Sequence, residues 1–331
     1  MAYTTIDNPE LYFQVKLWTG DDSTDNAITF DGEEDMQADL IWLKPRTKGD
    51  NHRWMDSVRG VTKMLPSNSS GAEETISAGL ASFDSNGFTL NTTDGGYNSS
   101  SYTYVAWNWK ESATSGFDIV SFTGNETART ISHSLSAIPH VMIMKSRANA
   151  VDWSVYHHKN TSAPETDYLF LNTTAATADS VNFWNDTAPT SSVFSLGSSG
   201  YSNATGTMIG YLFAEKQGFS KFGSYVANGN ADGTFVFCGF RPAFVMFKNS
   251  SAVQNWSIMD NKRDGFNSAN KNLGPNTTGT EDDTTGYIDF LSNGFKLRNS
   301  WTVFNGSGNT IVYMAFAEAP FVNSNGVPNN A

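Results

Sequence analysis

The stretch LIWLKPR at residues 40–46 recurs twice further along the chain, as VMIMKSR at residues 141–147 and FVMFKNS at residues 244–250. The lysines that these stretches share are Lys44, Lys145 and Lys248, and they lie about 100 residues apart. An interval of this length is the size of a small domain. The repeats that build solenoids are shorter, at about 20–50 residues. The pattern therefore predicts one small domain used three times.

Further landmarks keep the same order in every copy. They are a glycine before the lysine stretch, a tryptophan after it, then a phenylalanine and a closing glutamate. In chain order they are Gly20, Trp54, Phe88 and Glu111, then Gly124, Trp153, Phe194 and Glu215, then Gly229, Trp256, Phe295 and Glu318. This agreement predicts modules at 11–112, 113–217 and 218–320. An N-terminal arm (1–10) and a C-terminal tail (321–331) lie outside them, and we expect each either to dock on a neighbouring subunit or to fray.

The composition of the apolar runs indicates the fold class. They are short, rich in Val, Ile, Phe, Tyr and Trp, and bounded by Gly, Asn, Asp and Ser. Such runs are typical of strands joined by turns. We therefore predict an all-β fold of three tandem antiparallel β-sandwich modules, of a jelly-roll or lectin-like type, each of about 100 residues.

Charge and hydropathy exclude several classes of partner. The net charge is −12 and the basic residues are scattered, which argues against nucleic-acid binding. No apolar stretch is long enough for a membrane span, and the first residues do not resemble a signal peptide. The single cysteine, Cys238, lies in an apolar run and is predicted to be a buried small residue.

Residue patterns that would indicate catalysis or metal binding are missing from the sequence. No nucleophile-elbow triad, P-loop or dinucleotide motif occurs. We expect His157 and His158 at a surface strand end, on opposite faces, where they could not share a metal. Acidic groups such as Glu73-Glu74 and 281–283 are interpreted as solvated turn charge rather than glycosidase carboxylates. The sequence thus predicts no enzyme, no catalytic residue, no metal and no cofactor.

The repeated residues and the unrepeated aromatics suggest different roles. Residues that recur in all copies are interpreted as scaffold: Lys44, Lys145 and Lys248; Trp54, Trp153 and Trp256 as a core anchor in each sandwich; and Glu111, Glu215 and Glu318 as strand-end or inter-module contacts. Aromatics that occur in one copy are better candidates for recognition, because flat rings stack on sugars. The candidate glycan-stacking residues are Trp107, Trp109, Trp184 and Trp301.

Longer strings in the chain resemble a repeat domain common in marine bacteriophage genomes. They include DLIWLKPR, SFDSNGFTLNT, YVAWNWKE, WSVYHHKNTSAPETDYLFLNTT and YMAFAEAPF, and the resemblance covers nearly the entire chain. The resemblance implies a phage or prophage structural protein of poorly defined function, placed among tail or virion genes, with a lectin-like β-sandwich fold. It supplies no catalytic residues.

On this resemblance the leading hypothesis is a non-enzymatic virion protein, a tail fibre or receptor-binding component that contacts the host surface. The alternative is a capsid decoration or head-fibre protein, and a polysaccharide-degrading tail enzyme is third. The expected partners are other virion proteins of the tail or capsid, and a host surface glycan or protein. Fibres usually form homotrimers, but three modules in one chain could satisfy a three-fold partner instead. The expected location is the virion, assembled in the host cytoplasm.

Overall fold

The computed structural model describes residues 2–284 and 286–329. The chain is all-β with antiparallel sheets, which confirms the predicted fold class. Helices in the described ranges are limited to single turns, at Pro9–Leu11, Pro164–Thr166, α1 (Val181–Trp184) and α2 (Thr302–Asn305). None of these described helices is long and apolar enough to cross a membrane.

Residues 11–112, called module 1 below, form two sheets. The strands are β1 (Phe13–Thr19), β2 (Asn26–Thr29), β3 (Leu40–Pro45), β4 (Arg53–Asp56), β5 (Lys63–Pro66), β6 (Glu74–Thr75), β7 (Leu80–Asp84), β8 (Gly87–Leu90) and β9 (Thr103–Trp109). The large sheet has the order β1-β9-β3-β4-β5-β6, and the small sheet has the order β2-β8-β7.

Residues 113–217, called module 2, repeat this arrangement. The strands are β10 (Phe117–Gly124), β11 (Arg129–Ser132), β12 (Val141–Ser146), β13 (Ser154–His157), β14 (Asp167–Phe170), β15 (Ala178–Asp179), β16 (Val193–Leu196) and β17 (Gly206–Phe213). The large sheet is β10-β17-β12-β13-β14-β15, and the small sheet is β11-β16.

Residues 218–320, called module 3, repeat the arrangement with a large sheet of four strands rather than six. The strands are β18 (Ser220–Val226), β19 (Phe235–Phe237), β20 (Phe240–Asn249), β21 (Trp256–Asp260), β22 (Ile288–Leu291), β23 (Gly294–Leu297) and β24 (Thr310–Pro320). The large sheet is β18-β24-β20-β21, and the small sheet is β19-β23-β22.

Strand register shows which residues correspond between modules. In the large sheets the first strand pairs with the last, so that Phe13 lies opposite Trp109, Phe117 opposite Phe213, and Ser220 opposite Phe316. In the small sheets Ile28, Ile131 and Val236 lie opposite Phe88, Phe194 and Phe295. These pairings allow any position in one module to be compared with its counterparts.

The central strands of each large sheet are buried on both of their faces. One face packs on the small sheet of its own module, as Ile41 and Leu43 pack with Ile28 and Phe88 in module 1. The other faces meet in one apolar cluster with members from all three modules, which we call the shared core: among others Trp42, Trp107, Ile143, Phe213, Phe244 and Phe316. Burial on both faces explains why the lysine strands read as continuous apolar runs rather than alternating ones.

The repeated tryptophans belong to the shared core and not to the separate sandwiches. Trp54, Trp153 and Trp256 were predicted to anchor each sandwich, but they lie on the opposite face of the sheet. The ring centroids of Trp54 and Trp153 are 5.1 Å apart across the boundary between modules 1 and 2. Successive residues of a strand point to opposite faces, and the sequence does not say which face meets another module.

The N-terminal arm packs against module 3 of its own chain. Ile6 is buried in the shared core, and the Tyr3 hydroxyl donates a 2.9 Å hydrogen bond to the Gly239 carbonyl. The Ser324 amide of the tail donates to Asp7 Oδ1 of the arm at 2.6 Å. The described residues of the arm are therefore packed against their own chain rather than frayed, and docking on a neighbouring subunit stays a prediction.

Candidate functional site

The repeated lysines are buried hydrogen-bond donors, and two of them bond across a boundary between modules. Lys145 Nζ donates to the carbonyls of Ser70, Asn149 and Val151, at 3.1, 3.2 and 2.8 Å. Ser70 belongs to module 1, so this lysine links two modules. Burial lowers the pKa of Lys145 to about 8. Three carbonyl partners compensate the ammonium group for its lost water, which gives the side chain a structural role.

The other two repeated lysines are also buried donors to carbonyls, but only Lys248 bonds to another module, whereas Lys44 bonds within module 1. Lys248 Nζ donates to the carbonyls of Thr174 in module 2 and Gln254, at 2.9 and 2.6 Å. Lys44 Nζ donates to the carbonyls of Pro45 and Lys48, at 2.9 and 3.3 Å. Burial lowers the pKa of both lysines to about 8.

Equivalent buried polar contacts connect module 1 to 2, 2 to 3, and 3 to 1. Tyr211 donates to Asp56 Oδ2 at 2.7 Å, and Trp107 Nε1 donates to Asp260 Oδ2 at 2.9 Å. His157 occupies the same position in module 2, and its Nε2 lies 3.1 Å from the Tyr313 carbonyl. The modules therefore form a closed ring in which every interface uses the same pair of surfaces.

His157 is consequently not the surface residue that the sequence suggested. It is 3% exposed, and burial lowers its pKa to about 3. Its neighbour His158 is half-buried, with Nε2 2.5 Å from the Phe222 carbonyl of module 3. Both imidazoles bond to module 3 because strand β13 ends at the interface between modules and not at the surface.

Two glutamates interpreted as solvated turn charge are interface ion pairs. Arg147 Nε and Nη2 bind the Glu73 carboxylate at 2.8 and 3.0 Å, across the boundary between modules 2 and 1. Arg46 binds Glu281 in the same bidentate way at 2.9 and 2.8 Å, between modules 1 and 3. The interpretation was wrong for Glu73 and Glu281, because spacing cannot reveal an arginine supplied by another module.

The closing glutamates hold the first strand of the following module. Glu111 Oε1 accepts a 3.1 Å hydrogen bond from the Ile119 amide, and Glu215 Oε1 accepts a 2.8 Å bond from the Phe222 amide. Glu318 instead pairs within module 3, where its Oε2 lies 2.7 Å from Arg241 Nε. The glutamate thus recurs in all three modules, but its hydrogen-bond and ion-pair partners differ.

The different surroundings shift the pKa values of Glu111 and Glu215 in opposite directions. Burial and a hydrogen bond to Asp118 raise the pKa of Glu111 to about 7. Burial also opposes ionisation of Glu215, but His158, the Phe222 amide and Lys221 outweigh it and lower its pKa to about 2. Lys221 occupies the position of Asp118, as the strand register shows.

Three of the four tryptophans proposed for sugar stacking are buried. Trp107 and Trp109 lie in the shared core, and Trp184 lies in the core of module 2. Each is at most 3% exposed, so no ring face is available to a ligand. The sequence correctly put Trp107 and Trp109 on one face of a strand, but that face is the one that meets the other modules.

Trp301 is the exception, since it is half-buried and borders a surface hollow of about 400 Å³. We call this hollow the Trp301 pocket, and it is lined by Asp282, Thr284, Tyr287, Asn299, Ser300 and Trp301. Trp301 lies directly before the single turn of α2. Its indole packs on Tyr287 with ring centroids 5.0 Å apart, and edge-on against Phe304 at 5.3 Å. The aromatic wall of the pocket is therefore held rigidly.

Hydrogen bonds also fix the polar wall of the pocket. Asp282 Oδ2 accepts a 2.8 Å bond from the Tyr287 hydroxyl, and Oδ1 accepts a 2.8 Å bond from Thr284 Oγ1. Burial opposes ionisation of Asp282, but these hydrogen bonds outweigh it and lower its pKa. Asn299 Oδ1 accepts a 2.9 Å bond from the Trp301 amide. The pocket therefore combines a flat apolar face with an ionised acceptor in a fixed position.

The described lining of the pocket contains few ionisable side chains. Glycoside hydrolysis requires two carboxyl groups across the scissile bond, and among the described lining residues Asp282 is the single carboxylate. No group of three or more His, Cys, Asp or Glu within 2–284 and 286–329 could hold a metal ion. An aromatic face with a few fixed polar groups is typical of small-molecule binding sites.

Sequence reasoning missed a buried asparagine that recurs in every module. Asn98, Asn203 and Asn305 are inaccessible to solvent. Asn305 Oδ1 accepts a hydrogen bond from the Asn228 amide, and its Nδ2 donates to the carbonyls of Asn230 and Asn299, at 3.2, 2.8 and 2.6 Å. Its recurrence at intervals of about 100 residues was the available signal. The abundance of asparagine in these loops concealed it.

The chain is thus an all-β protein of packed antiparallel sheets with an aromatic, hydrogen-bonding pocket on its surface. It belongs to the family described as Domain of unknown function (DUF7483), whose family model matches residues 8–320. The match spans all three modules, so the family's sequence unit contains the three copies together. A search of curated proteins and a search of solved structures each found no match.

Proposed function

We propose that the chain is a non-enzymatic structural protein of a phage virion, a tail fibre or receptor-binding component that contacts a glycan on the host surface. The observation that supports this best is the Trp301 pocket. It joins an aromatic face to fixed oxygen and nitrogen groups, without the second carboxylate that hydrolysis needs. Because Asp282 is ionised, the glycan is neutral where it meets this carboxylate.

The remaining architecture fits a rigid virion component. The closed ring buries the shared core and two bidentate ion pairs, so the modules keep one arrangement. Such a body presents surface loops in fixed positions, which is the usual way that β-sandwiches display binding residues. Its partners under this proposal are other virion proteins and a host surface glycan or protein.

A capsid decoration or head-fibre protein is the second candidate, and the ring favours it. Three equivalent modules in one chain present a near three-fold surface, which matches a three-fold position on a shell without a homotrimer. Gold-labelled antibody on intact virions separates the candidates. Label confined to the tail supports the first and label over the head supports the second, whereas unlabelled virions contradict both.

A glycan array tests the pocket, followed by titration of each bound glycan against three proteins. Wild type should bind a neutral glycan, and Trp301→Ala should weaken binding about ten-fold or more because the stacking face is lost. Phe266→Ala is the matched control, since Phe266 is 90% exposed in the same module and outside the pocket. Failure of the wild type to bind any glycan, or undiminished binding by Trp301→Ala, would refute the proposed site.

A further inference from the structure

An apolar surface cluster distinguishes module 3 from the other two modules. Val226, at the end of β18, is 64% exposed, and Phe235 and Phe237 of β19 are 45% and 56% exposed. Thr234 Oγ1 donates to the Val226 carbonyl at 3.4 Å, which brings the ends of the two strands together. We call these three residues the β19 patch.

The fold itself does not require apolar residues at these positions. Strand register equates Val226, Phe235 and Phe237 with Thr19, Ala27 and Thr29 in module 1, and with Thr123, Thr130 and Ser132 in module 2. Five of the six counterparts carry a hydroxyl and the sixth is alanine. The intervening residue, Val236, is buried and apolar in every copy, as Ile28 and Ile131. The patch is therefore a feature of module 3 alone, and solvent exposure of three large apolar side chains calls for a partner.

The backbone around the patch is an open sheet edge. β19 is the edge strand of the small sheet β19-β23-β22, so one side of it pairs with no described strand. Natural edges are usually protected by charged side chains. The counterpart β11 begins with Arg129 and the counterpart β2 with the polar Asn26, whereas β19 consists of Phe235, Val236 and Phe237 only. An unprotected edge of this kind is a template for pairing with another strand.

From these observations we propose that two copies of the chain pair through their β19 edges, antiparallel and about a two-fold axis at Val236. The small sheets then join into one sheet of order β22-β23-β19-β19-β23-β22. Phe235 of each copy lies opposite Phe237 of the other, and cross-strand aromatic pairs stabilise antiparallel sheets. The edge is self-complementary, as a two-fold interface requires. This inference concerns assembly and is independent of glycan binding.

Charge at the two ends of β19 favours the same arrangement. Asp232, which precedes the strand, is 84% exposed in its side chain, although it also pairs with Lys296 at 2.9 Å and Arg298 at 3.5 Å. Lys221 lines two hollows beside Phe237, at the other end of the strand, although it also pairs with Glu215 at 3.0 Å. Antiparallel pairing sets the Asp232 end of one copy beside the Lys221 end of the other.

Sedimentation at about 0.15 M salt, where net repulsion is screened, tests the assembly. Wild type should be a dimer at about 100 μM, as expected for a small interface. The variant Val226→Thr/Phe235→Thr/Phe237→Ser carries the residues that module 2 has at these positions. It should keep the wild-type melting temperature and weaken dimerisation by about ten-fold or more. A monomeric or trimeric wild type, or a triple variant that dimerises as wild type does, overturns the proposal.

Cross-linking tests the register. Copies with Phe235→Cys mixed with copies with Phe237→Cys should form a disulfide-linked pair under mild oxidation, because the two positions face each other. Neither variant alone should do so, because the identical positions are offset along the strands. The native Cys238 is buried and serves as an internal control. Cross-linking of either variant with itself to the same extent would exclude the antiparallel register.

Discussion

The Tyr211 hydroxyl donates a 2.7 Å hydrogen bond to Asp56 Oδ2, the same oxygen that accepts from Arg59 Nε at 2.5 Å. Asp56 and Arg59 belong to module 1 and Tyr211 to module 2, and both members of the ion pair are inaccessible to solvent. One carboxylate thus neutralises a buried guanidinium and joins two modules. Asp260 does the same with Arg263 and Trp107.

Replacement of Asp56 by asparagine should therefore be strongly destabilising. The change leaves the buried Arg59 with only the more distant Glu73 carboxylate, 3.4 Å from its Nη1, and breaking a buried ion pair costs about 3–5 kcal/mol at most here. Tyr211→Phe removes a single hydrogen bond and should cost about 1–2 kcal/mol. Urea denaturation measures both free energies of unfolding. Equal effects of the two variants would show that the ion pair does not stabilise this interface.

Lys145→Met should also destabilise the protein, although it removes a buried charge. The carbonyls of Ser70, Asn149 and Val151 each lose a donor, and unsatisfied buried groups cost about 1–3 kcal/mol each. Relief of the desolvation of the ammonium group offsets part of this cost. We expect a net loss of about 2–3 kcal/mol in urea denaturation. Lys16→Met, at an exposed ion pair in module 1, is the control and should change stability little.

Glu111 should make the protein less stable as the pH rises. Its folded pKa of about 7 lies above its ordinary value of 4.5, so the folded chain holds a proton that the unfolded chain has released. Between these values the unfolded state binds fewer protons, and stability falls with rising pH. Glu111→Gln should remove this slope and raise stability at about pH 8 relative to wild type. Urea denaturation at several pH values measures it, and an unchanged slope would contradict the assignment.

Glu215 should show the opposite behaviour at the equivalent position. Its folded pKa of about 2 lies below 4.5, so its contribution is present above pH 4.5 and is lost as the pH falls towards 2. Glu215→Gln should accordingly lower stability at neutral pH, because Lys221 and His158 lose their partner. The same denaturation series measures both glutamates. A stabilising effect of Glu215→Gln at neutral pH would refute the ion-pair explanation.

Asn305 should connect the stability of module 3 to ligand binding. Its Nδ2 donates a 2.6 Å hydrogen bond to the carbonyl of Asn299, whose side chain lines the Trp301 pocket. Asn305→Ala should reduce both stability and glycan affinity. Asn98→Ala, the matched change in module 1, should cost comparable stability but leave affinity unchanged. Titration of a bound glycan into both variants measures their affinities. Equal losses of affinity would mean that the substitutions act through overall stability and not through the pocket.

The sequence predicted the fold class. Strand-length apolar runs rich in β-branched and aromatic residues predicted the all-β class, because local propensity and turn residues are encoded locally. The burial of Cys238 was likewise predictable from its apolar neighbours. The recurrence of the lysine stretch indicated related strands, and the structure gives all of them the same place in their large sheets, next to the last strand.

The second face of each large sheet was decided by the tertiary structure alone. A continuous apolar run indicates that a strand is buried on both sides, but it does not indicate what covers either side. The sequence suggested a sandwich anchor for Trp54, a ligand-stacking ring for Trp107 and a surface position for His157. The packing of the modules around the shared core makes all three interface residues. It likewise paired Glu73 with Arg147. Contacts between residues that lie about 100 positions apart depend on how whole sheets pack, and local sequence does not encode them.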